Sequence, residues 1–252
     1  PTLTDLKAGL YELDTSAVID NIRRINQGAQ VSFSFTIIEG QPLRDVVANI
    51  QKQAHLSQDL DTENLATQIS NTQENLEGWL FPDTYHYHSE DSASGLLKRA
   101  YSKMQQELDA AWQTRAPDLV LSSPYEALIL ASIIEKETGL ASERPLISAV
   151  FTNRLKTNMR LQTDPTVIYG IGADFDGDIK RKDLTTYTPY NTYKIKGLPP
   201  TPIAMPSKAA LLAAVNPPQS EFIYFVAKGD GSHQFSKTLQ EHNRAKKQYQ
   251  LN

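Results

Sequence analysis

The sequence predicts an α+β fold in which a mostly helical centre is flanked by small β-sheets. Three consecutive stretches, 94–114, 125–139 and 142–155, carry apolar residues at the spacing of an α-helix. Two shorter stretches on either side of them, 31–39 and 222–227, are rich in alternating, β-branched or aromatic residues and are typical of strands. We therefore expect the helices to form the core and the strands to pack beside it.

The composition is that of a globular protein and excludes several functional classes. The chain has 252 residues, of which 40% are hydrophobic and 21% are charged, which is enough for a sizeable core. Its net charge of -4 and the lack of a basic block argue against nucleic-acid binding. The absence of cysteine excludes thiol nucleophiles, disulfides and thiolate metal sites. Neither a membrane span nor a signal peptide is evident, and because the chain opens on Pro1 we expect a processed or shortened product.

Residues 1–30 predict a small unit that is incomplete. Residues 6–13 have the pattern of a short strand, and residues 16–27 have apolar side chains at helical spacing after a Ser16 cap. One strand and one helix cannot enclose a core, so we expect this unit to be the remainder of a larger module.

The main domain is expected to occupy residues 31–252. It opens with the alternating strand 31–39, and glycine and proline then turn the chain into a helix over 43–53. The polar stretch 54–75 predicts a partial helix around Leu65 and carries no chemical signal.

Residues 77–87, EGWLFPDTYHY, crowd large apolar and aromatic side chains around Pro82 and Asp83. Tyrosine and tryptophan cover sugar rings well, so one interpretation is a glycan-binding cleft. The other is a core strand that begins after a proline turn. The sequence of this segment alone leaves both interpretations open.

The stretch 125–139 is apolar until its last turn, which carries two glutamates. At about 100° per residue, Glu137 extends the apolar stripe of Leu130 and Ile134, whereas Glu135 faces the other way. A carboxyl against apolar surface at the negative end of a helix has a raised pKa, which suits a general acid. The alternative is a solvated helix end whose charges pair loosely.

The chain beyond residue 155 predicts loops that line a site and a second small sheet. The stretches 159–170 and 187–206 are dense in Asn, Thr, Tyr, Asp and Pro, a composition typical of binding loops. The remaining predicted elements are a helix at 207–215, a strand at 222–227 and a turn at 229–231 that leads into His233, which like His242 we interpret as structural.

Several familiar signatures of catalysis and metal binding are absent. The chain has no GxSxG, SxxK or Walker motif. Asp174, Asp176 and Asp178 resemble the start of a calcium loop, but the glycine stands at the fourth position rather than the sixth. His86 and His88 lack a third ligand nearby. We therefore expect neither a metal nor another cofactor.

Several longer motifs, in order along the chain, resemble the YceG-like endolytic murein transglycosylase family. The residues that carry the resemblance are EGWLFPDTY at 77–85, ASIIEKET at 131–138, RLQTDPTVIYG at 160–170, YNTY at 190–193 and GLPP at 197–200. Shorter matches, among them YFVA at 224–227, extend the similarity to the C-terminal part.

The resemblance implies a set of functional residues. The second glutamate of EKET, which serves that family as acid and base, falls on Glu137, the residue that the helical stripe also indicates. The substrate-binding positions that the resemblance implies are Glu77, Asp83, Tyr85, Gln162, Asp164, Asn191 and Tyr193.

The resemblance also implies an architecture and a location. It predicts a lysozyme-like catalytic centre at 31–252 and, at 1–30, the remnant of a LysM-like module whose closing strand lies near residues 7–13. It implies a membrane-anchored parent protein at the periplasmic face of the bacterial inner membrane. The implied partners are peptidoglycan glycan strands and cell-wall synthesis enzymes.

The function that we expect is endolytic cleavage of the MurNAc-GlcNAc bond in peptidoglycan, with 1,6-anhydroMurNAc ends as products. Glu137 would act first as the acid and then as the base. One alternative is a lysozyme-type muramidase, in which Asp83 or Asp164 supplies a second carboxylate. The other is a peptidoglycan-binding protein without catalytic activity.

Overall fold

The computed structural model describes residues 8–71 and 73–249, and in this part the predicted α+β class is confirmed. The helices are α1 (Val18–Gln27), α2 (Leu43–Ile50), α3 (Leu65–Ser70), α4 (Ala93–Gln113), α5 (Pro124–Glu137), α6 (Arg144–Lys156), α7 (Asp164–Ile171), α8 (Arg181–Thr185), α9 (Lys208–Val215) and α10 (Leu239–Tyr249). The strands are β1 (Phe33–Thr36), β2 (Thr84–Tyr87), β3 (Tyr224–Ala227) and β4 (His233–Ser236).

The N-terminal unit differs from its prediction in two respects. Of the strand predicted at 6–13, residues 6 and 7 lie outside the described residues and 8–13 form no strand. The backbone N–H of Val31 donates to the carbonyl of Leu10 at 2.8 Å, but a single bond of this kind does not make a ladder. Helix α1 starts after Ala17 and is not capped by Ser16, whose hydroxyl donates instead to Asp14 at 2.7 Å.

The first sheet joins two segments that are far apart in sequence. Strands β1 and β2 pair antiparallel, with Phe35 opposite Tyr85 and Phe33 opposite Tyr87. Phe35, Tyr85 and Tyr87 are buried on the inner face, whereas the alternate residues are exposed. The period-2 pattern therefore places one face of this short sheet against the helices.

The aromatic segment 77–87 belongs to the core. Trp79, Phe81 and Tyr85 are each 8% exposed, and Leu80 is fully buried. The interpretation of these aromatic side chains as a glycan cleft is therefore wrong, and the alternative, a core strand after a proline turn, is confirmed. These rings are in the core because burial there removes more of their apolar area from water than a position in an open cleft would.

Helix α5 is the centre of the core. Its N-terminus is capped by Ser123, whose hydroxyl accepts from the N–H of Glu126 at 3.2 Å. Every residue from 127 to 134 is buried, because α4, α6, α7 and α9 surround the helix. Leu128 and Ser132, on the side opposite the predicted stripe, are as buried as Leu130. The stripe therefore does not separate a buried face from an exposed one.

Helix α4 packs beside α5 and is the longest helix of the described part. It buries Leu97, Met104 and Leu108 and is capped by Ser92, whose hydroxyl accepts from the N–H of Gly95 at 3.0 Å. Its outer face is charged, and no helix within 8–71 and 73–249 is long and apolar enough to cross a membrane.

The predicted second sheet is confirmed, and an additional helix covers it. Strands β3 and β4 pair antiparallel, with Ala227 opposite His233. Helix α10 packs against both strands and buries Ala245. This unit lies near α6, so it brings the C-terminal part of the chain to the end of α5 that carries Glu137.

Candidate active site

Glu137 is the last residue of α5 and lines a cavity of about 470 Å³. The helix ends there because Thr138 has an extended backbone. Pockets of roughly 300–1,000 Å³ are typical of sites for small organic ligands. The residues that line this cavity are Glu137, Arg154, Leu161, Gln162, Asp164, Tyr193, Tyr224, Phe225, Val226, Ala227, His233, Leu239, His242, Asn243 and Lys246.

The carboxyl of Glu137 is held by Thr163. The hydroxyl of Thr163 donates a hydrogen bond to Oε1 of Glu137. Thr163 is itself fixed, since its N–H donates to Oγ1 of Thr192 at 3.0 Å and the N–H of Gln162 donates to the Thr192 carbonyl at 3.2 Å. Gln162 has a φ of 50°, an unusual value for a residue other than glycine. The loop between α6 and α7 is thus fixed against the carboxyl of Glu137.

The electrostatic environment of Glu137 favours its neutral form. Burial raises the pKa of Glu137 to about 7, and the negative charge of Asp164 acts in the same direction. The hydrogen bond from Thr163 and the positive charge of Arg154 act in the opposite direction. The raised pKa that the sequence predicts is therefore confirmed, and burial is its main cause.

Arg154 connects three parts of the site. Its Nε donates to the carbonyl of Ile223 at 2.7 Å, and its Nη1 donates to the carbonyl of Leu161 at 2.7 Å. The guanidinium also lies over the ring of Tyr224, 5.3 Å from its centroid. One side chain from α6 thus joins the loop before α7 to the segment that enters β3, close to Glu137.

Asp164 and Tyr193 form a polar pair in the same cavity. The phenol of Tyr193 donates to Oδ1 of Asp164 at 2.6 Å. Burial and the bond to Asp164 raise the pKa of Tyr193, so the phenol remains a neutral donor near pH 7. The structure therefore brings Glu137, Gln162, Asp164 and Tyr193 together, four of the eight residues that the resemblance implies.

The other four residues lie outside the lining of this cavity. Both carboxylate oxygens of Glu77 accept from the N–H of Leu43, at 2.9 and 3.1 Å, at the start of α2. Oε2 of Glu77 also accepts from the phenol of Tyr169 at 3.1 Å. Burial raises the pKa of Glu77 to about 7. Asp83 forms an ion pair with Lys103 at a partly exposed position.

Tyr85 and Asn191 make bonds to the protein's own backbone. The phenol of Tyr85 donates to the carbonyl of Phe81 at 2.7 Å. The side-chain amide of Asn191 donates to the carbonyls of Thr186 and Asp183, and its oxygen accepts from the N–H of Tyr193 at 3.0 Å. Asn191 thereby fixes the backbone of the loop that carries Tyr193.

Glu135 faces away from the cavity, as predicted, but it is not solvated. Its side chain is 6% exposed and pairs with Arg144 at 3.1 Å. Its Oε2 accepts from the N–H of Ser207 at 2.9 Å and from the Ser207 hydroxyl, next to the start of α9. Glu135 therefore links α5, α6 and α9, whereas Glu137 lines the cavity.

The sequence indicated the family motif YFVA at 224–227, which lines the cavity, but it did not indicate that helix α10 does so as well. His233, interpreted as structural, lines the cavity and is held by Glu143, whose carboxylate oxygens lie 2.9 Å from its N–H and 2.7 Å from its Nδ1. His242 lines the cavity too and stacks on Tyr224, with ring centroids 5.0 Å apart. The one available signal for Thr163 was its position in the motif RLQTDPTVIYG.

Comparison with known proteins agrees with this arrangement of motifs. The sequence model of the YceG-like family matches residues 2–248. A protein of Bacillus subtilis named endolytic murein transglycosylase is 34% identical over 96% of this chain and 73% of its own length. A Streptococcus pneumoniae protein of the same name is 29% identical over 96% of this chain, which spans only 50% of that protein.

A solved structure extends the agreement to the fold. The crystal structure of a yceG-like protein from Listeria monocytogenes superposes with a TM-score of 0.68 and 31% identity, over 89% of this chain and 80% of that one. Sequence motifs, family match and fold therefore coincide over almost the whole chain. The chain belongs to the YceG-like family.

Proposed function

We propose that the chain is an endolytic lytic transglycosylase that cleaves the MurNAc-GlcNAc bond within peptidoglycan glycan strands. The observation that carries this proposal is the carboxyl of Glu137, which lines a ligand-sized cavity and has a pKa of about 7. A single group that must donate a proton and later accept one works best when its pKa lies near the working pH. The names of the Bacillus and Streptococcus relatives support the same reaction.

The reaction needs one carboxyl and no water. Neutral Glu137 donates its proton to the glycosidic oxygen as the bond from that oxygen to C1 of MurNAc breaks, and an oxocarbenium-like centre develops at C1. The Glu137 carboxylate then takes the proton of the MurNAc 6-hydroxyl, whose oxygen closes on C1. Glu137 ends in its initial protonation state, and the product carries a 1,6-anhydro ring.

The neighbours of Glu137 have separate tasks in this proposal. Thr163 orients the carboxyl, and Asp164 faces the positive charge that develops on the sugar. Gln162 and the neutral phenol of Tyr193 supply hydrogen bonds to the sugar's hydroxyl and amide groups. Glu77, Asp83, Tyr85 and Asn191 act through other residues, because they lie outside the cavity lining.

A hydrolase of the lysozyme type is the second candidate, and Asp164 is the residue that favours it. Asp164 is a second carboxylate in the cavity of Glu137, as a muramidase acting on water would require. Asp83, the other candidate, is paired with Lys103 outside this lining. The products differ by one water, so the mass of the released muropeptides separates the two reactions.

The decisive experiment compares the wild-type chain with Glu137→Gln on purified peptidoglycan. We expect anhydro-ended muropeptides from the wild type and at least a roughly hundredfold slower release from the variant. A normal rate from the variant would refute the assignment of Glu137. Reducing MurNAc ends would support the muramidase, and binding of sacculi without soluble product would support a binding protein.

We also propose a setting for this activity. The substrate lies outside the cytoplasmic membrane, so the chain would act at the periplasmic face of the inner membrane as part of a longer, anchored protein. Cell-wall synthesis enzymes would be its partners there, since their nascent strands are the substrate.

A further inference from the structure

The far wall of the cavity is one face of helix α10. Leu239, His242, Asn243 and Lys246 are spaced i, i+3, i+4 and i+7 and all line the cavity. Glu241 is the only acidic residue in this helix, and its carboxylate accepts from the N–H groups of Lys237 and Thr238 at the helix's own N-terminus. Apart from Leu239, the face that lines the cavity is therefore polar, and it carries no acid.

Lys246 supplies the positive charge of this wall. No carboxylate within residues 8–71 and 73–249 forms an ion pair with it. Burial, together with the charges of Lys246 and Arg154, lowers the pKa of His242, so the imidazole is neutral near pH 7. Arg154 is already bound to backbone carbonyls. Lys246 is thus the cation that remains for a ligand.

Glu137 and Lys246 line the same cavity from different helices, Glu137 at the end of α5 and Lys246 in α10. The charges that shift the pKa of Glu137 are those of Asp164 and Arg154, whereas Lys246 acts on His242. The cavity therefore holds the Glu137 carboxyl on α5 and the Lys246 ammonium on α10. A ligand that contacts both groups has a cleavable neutral part and an anionic substituent.

A peptidoglycan strand has this distribution of charge. Its sugar rings are neutral, and its carboxylates belong to the 3-O-lactyl group of MurNAc or to the peptide stem attached there. We propose that Lys246 and Asn243 form a subsite that binds a carboxylate of this lactyl-peptide substituent. The inference rests on the proposed function for the substrate and goes beyond it by assigning a subsite for the stem.

The test combines a substitution with a change in the substrate. Lys246→Met removes the charge but keeps a long side chain that favours helix. Lys247→Met is the matched control, because Lys247 is the next residue of the same helix, is exposed and does not line the cavity. The substrates are soluble strands with stems, stem-free strands from amidase digestion, and both kinds after carbodiimide amidation of their carboxylates.

Binding is measured by calorimetry in the Glu137→Gln background, and kcat/KM is measured in the active chain. We expect Lys246→Met to weaken binding of a strand with free carboxylates roughly threefold to tenfold and to raise KM while kcat is unchanged. Amidated strands should bind Lys246→Met and its parent equally well. Lys247→Met should have the same affinity and the same kcat/KM as its parent with every strand. If Lys246→Met weakens binding of the stem-free strands, the carboxylate is that of the lactyl group. If it weakens binding of the stem-bearing strands, the carboxylate belongs to the peptide stem.

Two results would overturn the subsite: equal effects of Lys246→Met on free and amidated strands, or no difference between Lys246→Met and Lys247→Met. Failure of the proposed function has a different signature. In that case no strand is cleaved by the wild type, yet binding in the Glu137→Gln background still depends on Lys246 and on free carboxylates. The binding and turnover measurements therefore decide the two proposals separately.

Discussion

The Thr163 hydroxyl donates its hydrogen bond to the Glu137 carboxyl, and this one contact joins the end of the central helix to the loop before α7. The bond stabilises the carboxylate form, whereas burial and Asp164 stabilise the neutral form. The acidity of Glu137 is thus a balance between opposing local effects, and each of them can be changed by substitution.

The pH profile of the wild-type chain follows from this balance. Because the proposed reaction begins with neutral Glu137, kcat/KM should fall as pH rises through about 7, approaching a tenfold loss per pH unit, the slope of a single ionisation. Rates of muropeptide release between pH 5 and 9 test this expectation, with circular dichroism to verify that the fold is retained. A descending limb near pH 4.5 would show that the carboxyl is not buried in solution.

Replacing Thr163 with valine should shift that limb upward. The substitution removes the bond that lowers the pKa of Glu137, so the neutral form should persist to higher pH. Maximal kcat should fall as well, since the carboxyl loses its orientation. Thr163→Ser restores the hydroxyl and is the control. A Thr163→Val profile with the wild-type midpoint would mean that the contact is absent in solution.

Glu77 should make stability depend on pH. Its pKa of about 7 in the folded state lies above the ordinary value of 4.5. Between these two pH values the folded chain therefore binds more protons than the unfolded chain. The free energy of unfolding should therefore decrease as pH rises from about 4.5 to about 7, by on the order of 3 kcal/mol for a fully buried group.

The isosteric variant Glu77→Gln removes this ionisation. It should resemble the wild type at pH 5 and be more stable than the wild type at pH 8, because no charge is then formed in the core. Urea unfolding at the two pH values measures the difference, with the exposed Glu74→Gln as the control. Equal responses of Glu77→Gln and Glu74→Gln would contradict the buried position of Glu77.

Replacing Glu135 with glutamine should affect stability, whereas replacing Glu137 with glutamine should affect activity. Glu135→Gln leaves Arg144 without its anionic partner at a buried position and should lower the free energy of unfolding by about 2–4 kcal/mol. The folded fraction of that variant should still cleave peptidoglycan. Glu137→Gln should keep its stability and lose its activity. Loss of activity in fully folded Glu135→Gln would show that Glu135 takes part in the reaction and would contradict a mechanism with Glu137 as the single carboxyl.

The sequence predicted the parts of the fold that depend on local pattern. The helices at the centre follow from apolar spacing, and the strand around Phe35 follows from alternation. The partner of that strand did not follow, because Phe35 and Tyr85 are joined only by tertiary packing. The expectation that α5 has one buried and one exposed face, which supported Glu137, was also wrong, since other helices surround α5 on all sides.

The candidate site was predictable only in part. Glu137, Gln162, Asp164 and Tyr193 lie in motifs that the family resemblance identifies, so they could be named before their geometry was known. The opposite wall comes from α10, whose polar residues have no local pattern that distinguishes a cavity from solvent. Its position depends on long-range packing against β3 and β4, which a sequence without an alignment does not reveal.

The wall formed by β3, β4 and α10 has a consequence for how the protein is made. During synthesis the helix that carries Glu137 leaves the ribosome before residues 224–246, which supply much of the cavity lining. A nascent or proteolytically shortened chain that ends before residue 224 would hold Glu137 without these lining residues. The cavity is therefore complete only once the C-terminal hairpin and helix have been synthesised and have packed against the rest of the chain.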